Sequence, residues 1–85
     1  MTKNAAPSSS LKKALALVAA GNWDGAHELV QDDGSPEAAW IHAHLHRIEG
    51  DLDNANYWYR KAGKQPAVSA FEEERRVIEQ ALSRE

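Results

Sequence analysis

Residues 21–26, Gly-Asn-Trp-Asp-Gly-Ala, and residues 50–55, Gly-Asp-Leu-Asp-Asn-Ala, follow one pattern and decide the predicted fold. In each stretch the first glycine is typical of a left-handed helix end, and the Asn or Asp after it is typical of the N-cap of a new helix. The alanine at the sixth position lets two helices approach closely, because the distance between helix axes follows side-chain size. Each stretch therefore predicts the bend and the close contact of a helical hairpin.

Helices are predicted on both sides of each bend. Apolar residues recur at helical spacing from Leu11, after serines that can cap a helix, and a second helix follows Asn22. A third starts with Ser35 as cap and Pro36 in its first turn, and it runs to about residue 49. The alanines predicted to meet across the hairpins are Ala14 with Ala26, and Ala39 and Ala43 with Ala55.

The second half of the chain continues the helical pattern. A fourth helix is predicted from Asp51 to Gly63, and a fifth from Val68 to the end. The apolar face of the fourth holds Leu52, Ala55, Tyr59 and Ala62, and the fifth is marked by Phe71, Ile78 and Leu82. No segment alternates long enough to predict a strand. The prediction is an all-α fold of antiparallel hairpins joined by short connections.

Length and composition limit the classes of function. With 85 residues there is room for one domain, predicted as a disordered N-terminal arm over 1–8 and a helical-repeat domain over 9–85. The net charge of −3 argues against a nucleic-acid partner, and no apolar stretch approaches a membrane span. The absence of cysteine excludes disulfides, thiolate metal sites and cysteine nucleophiles. A cytoplasmic protein without a cofactor is expected.

The later part of the pattern resembles a known family. Residues 50–55 with Tyr59, Ala62 and Pro66 look like the second half of a tetratricopeptide repeat, and the resemblance extends over about residues 9–66. It implies two stacked hairpin units plus a C-terminal capping helix, with a concave face that binds a partner protein or peptide. Two units are fewer than a stable solenoid usually needs, so self-association as a homodimer is an open alternative, as is a generic antiparallel bundle.

The third helix carries the best candidates for partner binding. Trp40, His44 and Arg47 share one helix face by their spacing of four and three residues, and this face is predicted to line the concave groove. Trp and Arg are frequent interface anchors because they combine contact area with directional bonding. Tyr57 and Trp58 join this prediction, because consecutive aromatics on a helix cannot all enter one core.

The same helix also carries an alternative, metal-binding candidate. His42 and His46 lie one turn apart, and neutral imidazoles at this spacing can share one ion. Glu49 and His27 are the candidates for further ligands. The competing interpretation is that these histidines are packed and hydrogen-bonded in the core. No pairing of nucleophile and base and no phosphate-binding loop is present, so no enzyme is predicted.

Overall fold

A computed structural model of the protein describes the backbone of residues 5–83 and the side chains of residues 9–83. These residues form five helices and no strand: α1 Ala5–Ala19, α2 Trp23–Val30, α3 Pro36–Glu49, α4 Leu52–Ala62 and α5 Phe71–Ser83. The all-α prediction is confirmed. Within the same residues, no helix has both the length and the apolar character that crossing a membrane requires.

The helix boundaries follow the predicted local signals. The Ser35 hydroxyl accepts a hydrogen bond from the backbone N–H of Ala38 at 3.1 Å, so it caps α3 as predicted. Gly50 ends the same helix at φ +90°, a conformation that strains any residue with a Cβ. Asn22 and Asp51 cap α2 and α4 by accepting from the backbone N–H three residues on. Local chemistry therefore sets where these helices begin and end.

Two hairpins and a closing helix make up the fold. α1 packs on α2 and α3 packs on α4, which are the two predicted hairpins. α3 lies at the centre, because it contacts each of the other four helices. α5 packs against α1 and α3, and this places it on the side of α3 where the groove was predicted.

The apolar core forms two clusters that meet at Trp40. The larger one joins α1, α2, α3 and α5, and it includes Ala14 and Ala26. The smaller one joins α3 and α4 through Ala43, Ala55 and Tyr59. Ala14 with Ala26, and Ala43 with Ala55, therefore lie in common clusters, as predicted from helix packing, whereas the third predicted contact, of Ala39 with Ala55, is not seen: Ala39 is buried but belongs to neither cluster.

Three details of the prediction are wrong. α1 begins at Ala5, so residues 5–8 of the predicted arm are helical, while residues 1–4 lie outside the described residues. α5 begins at Phe71 rather than Val68. Leu52 is 60% exposed, because it stands in the first turn of α4, beyond the contact with α3.

Candidate metal centre

Three histidines from two helices converge at the interface of α2 and α3. His42 and His46 lie on adjacent turns of α3, with ring centroids 4.9 Å apart. His27 of α2 faces them, and its Nε2 lies 3.0 Å from Nε2 of His42, a hydrogen bond in which one ring donates. One nitrogen from each ring lies within 4.8 Å of the other two. The structure thus assembles three of the four predicted metal-ligand candidates.

The fourth candidate, Glu49, takes a different position. Nδ1 of His46 donates to Oε1 of Glu49 at 2.8 Å, and the carboxylate is half exposed. A carboxylate on Nδ1 lies across the ring from Nε2, so in this arrangement it orients His46 and leaves Nε2 free. Carboxylates bound in this way are common supports of metal-ligating histidines. Glu49 also lies with His46 and Asp51 in a second, more exposed group of possible ligands.

Two tryptophans enclose the cluster. Trp23 stacks on His27 with ring centroids 4.8 Å apart, and its indole N–H donates to the carbonyl of Leu45 at 2.7 Å. Trp58 stacks on His42 at 3.9 Å. These rings hold two of the three imidazoles in place and limit the space around them. The sequence predicted Trp58 for a partner surface, and the contacts of both rings with the histidines were missed.

His42 is held in its neutral form. Burial, together with the charges that the neighbouring His27 and His46 can carry, lowers its pKa from 6.5 to about 4. Its Nδ1 is buried without a hydrogen-bond partner. A neutral imidazole is the form that binds a metal ion, so at neutral pH no proton has to leave His42 first.

The remaining histidine belongs to a separate polar network. His44 is fully buried, and its Nδ1 donates to Oε1 of Glu74 in α5 at 2.7 Å. Arg47 donates to the same oxygen at 3.0 Å and to the carbonyl of Ser69, while the Tyr59 hydroxyl donates to Oε2. The prediction that His44 and Arg47 face an open groove is therefore wrong, because α5 covers that face.

Glu74 is ionised at the centre of this network. Burial alone would raise its pKa, but hydrogen bonds from His44, Tyr59 and Arg47 outweigh burial and hold the pKa below its usual range. Burial raises the pKa of Tyr59, and the carboxylate of Glu74 raises it further. Sequence reasoning missed Glu74 among three consecutive glutamates. The available signal was its position four residues before Ile78 and eight before Leu82, on the buried face of α5.

The other predicted partner-binding residues remain near the surface. Trp40 is partly buried between the two core clusters, with the Lys64 ammonium 4.3 Å from its ring centroid. Tyr57 is 45% exposed, and the ring of the partly buried Trp58 meets it edge-on. The Lys61 ammonium lies within 6 Å of both of these rings. The five predicted residues therefore do not form one exposed face.

Two clefts lie beside α3, and neither is lined by a histidine. One, of about 230 Å³, lies next to Trp40 and Lys64. The other, of about 220 Å³, lies next to Trp58 and Lys61, with the turn at residues 31–35 as its opposite wall. The histidine cluster therefore lines neither of these two clefts.

Comparison of the chain with protein-family models, with curated proteins and with solved structures found no match to any of them. The resemblance to tetratricopeptide repeats therefore stays a prediction. A function for the chain has to be inferred from the geometry of its described residues.

Proposed function

We propose that this protein binds one divalent transition-metal ion through His27, His42 and His46. The observation that carries the proposal is the convergence of three imidazole nitrogens, from two helices, within 4.8 Å of one another. Because helices hold their side chains on a fixed backbone, such a group needs little reorganisation to bind an ion.

The spacing of the three imidazole rings fits an ion of the size of zinc. Zinc bound to imidazole nitrogens at about 2.0–2.1 Å in tetrahedral geometry places those nitrogens about 3.4 Å apart and the ring centroids about 5 Å apart. The observed centroid distances are 4.6 Å for His27 and His42, 4.9 Å for His42 and His46, and 5.5 Å for His27 and His46. The helices therefore already hold the three rings at about the separation that one ion requires.

The donor set supports some metals over others. Imidazole suits zinc, copper, nickel and cobalt, whereas magnesium and calcium prefer oxygen ligands. The chain has no thiolate to offer a softer metal. The proposal therefore names Zn²⁺, Co²⁺, Ni²⁺ and Cu²⁺, with copper favoured by the general order of affinities.

One feature of the site opposes binding. With the ion on Nε2, His42 keeps its proton on the buried Nδ1, which has no hydrogen-bond partner. An unpaired buried polar atom costs about 1–3 kcal/mol, and the metal-free protein already bears part of this cost at the same Nδ1, so the affinity is lower by at most about 150-fold. This cost weakens the site without abolishing it, because each imidazole contributes a coordinate bond.

Calorimetric titration with each of the four metals, and visible spectroscopy with Co²⁺, tests the proposal. His46→Asn keeps a donor where Nδ1 meets Glu49 and removes Nε2, and His27→Gln keeps a polar atom facing His42. Each variant is expected to lose at least about 100-fold in affinity, since changes in supporting residues alone cost about 10- to 100-fold.

His44→Asn is the matched control. It also removes an imidazole from α3, but it keeps a donor towards Glu74 and lies outside the cluster. Its metal affinity is expected to stay within about twofold of that of the parent, in line with the independence of separate sites. Equal affinity in all variants, or no stoichiometric binding by the parent, would contradict the proposal.

Protein binding is the second candidate function, and one observation favours it. Tyr57 is 45% exposed beside Trp58, and exposed aromatic surface is typical of interaction sites. A partner or a second copy would bury this surface of α4. Sedimentation of the parent and of Tyr57→Ser tests self-association, which the variant is expected to weaken; identical concentration dependence in both would argue against it.

A further inference from the structure

We propose that the ion held by His27, His42 and His46 keeps one coordination position open to a small monodentate ligand from solution, such as water or an inorganic anion. This inference rests on the metal-binding function proposed above. It concerns the coordination of the bound ion, because a tetrahedral ion with three protein ligands has a fourth position to fill.

The cluster offers three protein ligands to one ion. Within residues 9–83, the group that contains His27 and His42 has His46 as its third member and no fourth. Zinc sites closed by four protein ligands are typically structural, whereas sites with three protein ligands exchange their fourth ligand with solvent. The histidine cluster therefore belongs to the second type.

The nearest carboxylates do not complete the site. Glu49 accepts from Nδ1 of His46, on the side of the ring away from Nε2. Asp51 caps α4 by accepting from the backbone N–H of Asn54 at 3.3 Å, and it groups with His46 and Glu49 but not with His27 or His42. To reach the ion, each carboxylate would have to give up a hydrogen bond that it makes in the structure.

The walls of the cluster limit the size of the fourth ligand. Trp23 and Trp58 stack on His27 and His42, and the two clefts beside α3 are lined by no histidine. Neither cleft therefore gives a ligand of substrate size a place at the ion. His27 is only partly buried, so solvent reaches the cluster from the α2 side. The position therefore suits a ligand of a few atoms.

Sodium azide added to the Co²⁺ protein tests this inference. The visible bands of Co²⁺ respond to each change of its ligands, so the expected result is a saturable spectral shift at one azide per ion. The same shift is expected in Asp51→Asn, and also in Glu49→Gln once the Co²⁺ concentration is raised to offset the loss of about 10- to 100-fold in affinity that follows from removing the support of His46, because neither carboxylate is a ligand. His46→Asn supplies the control, since any azide response it gives comes from free Co²⁺.

Each outcome decides the inference. A Co²⁺ protein that binds one ion but does not respond to azide has a closed site, and this overturns the open position while leaving metal binding intact. A response to azide that appears only in Glu49→Gln or only in Asp51→Asn identifies the replaced carboxylate as the fourth ligand. This outcome also overturns the open position. Failure of the parent to bind Co²⁺ overturns both the metal-binding function and the open position.

Discussion

Replacing Glu74 with alanine should remove a large part of the stability of this domain. The carboxylate is 3% exposed and accepts from His44, Arg47 and Tyr59. Alanine would leave the donors of His44 and Tyr59 without this acceptor, and the cationic guanidinium of Arg47 would keep only the carbonyl of Ser69. Removing one partner of a buried ion pair costs about 3–5 kcal/mol.

This loss is large compared with the total free energy of unfolding. A chain of 85 residues has a free energy of unfolding of about 4–13 kcal/mol at typical values per residue. A loss of 3–5 kcal/mol corresponds to a fall in Tm of about 15–30 °C in a domain of this size. The weakened element is α5, which the carboxylate ties to α3 and α4.

Urea denaturation followed by circular dichroism and by tryptophan fluorescence measures the effect. Glu73→Ala is the matched control, because Glu73 is exposed one residue earlier in the same turn of α5. Its free energy of unfolding is expected to change by about 0.5 kcal/mol or less. If Glu74→Ala costs under about 1 kcal/mol, or no more than Glu73→Ala, the network does not hold α5 in place.

Three further perturbations test other parts of the structure. In the presence of a chelator, the contribution of His42 to the unfolding free energy should fall by at most about 3 kcal/mol between pH 7 and pH 4, because its pKa is about 4 when folded and 6.5 in its ordinary state. The lowered pKa of Glu74 adds a further fall in the same direction, so the test is the difference from His42→Gln, which should flatten the dependence; an unchanged slope would contradict the prediction. Trp23→Phe loses the hydrogen bond to the Leu45 carbonyl, so its free energy of unfolding in urea should be about 1–3 kcal/mol lower. A shift of the infrared band of that carbonyl provides an independent measurement of the lost bond. Gly50→Ala should lower the free energy of unfolding by about 1–2 kcal/mol, because the backbone at residue 50 has a φ of +90°. Gly34→Ala is the control and should be neutral, since an added Cβ there also meets open space but the backbone has no such φ; equal effects would show that the backbone conformation at Gly50 imposes no strain.

The sequence predicts local features of this fold well, for a physical reason. A cap such as Ser35 or a helix end such as Gly50 depends on backbone groups within four residues, so the pattern contains all the participants. The spacing of His42 and His46 is local in the same sense. The contribution of His27 depends on the approach of α2 to α3, and the sequence offered it only as one candidate.

The placement of α5 lies beyond this local information. A helical pattern gives the direction of His44 and Arg47 around α3, but it does not tell which helix lies opposite. The network with Glu74 joins positions 27 and 30 residues apart, and Glu74 itself reads as one of several acids favourable near a helix N-terminus. A groove was therefore predicted where the chain places its own last helix.

One helix supports two polar sites because its two sides face different neighbours. At about 100° per residue, His42 and His46 point within about 40° of each other, while His44 points about 160° away from His42. The first side meets α2 and carries the proposed metal ligands, and the second meets α5 and carries the donors to Glu74. Both sites are buried by the same central helix, yet they share no side chain. The ion would therefore join α2 to α3, the carboxylate joins α5 to α3, and each can be removed without taking away a partner of the other.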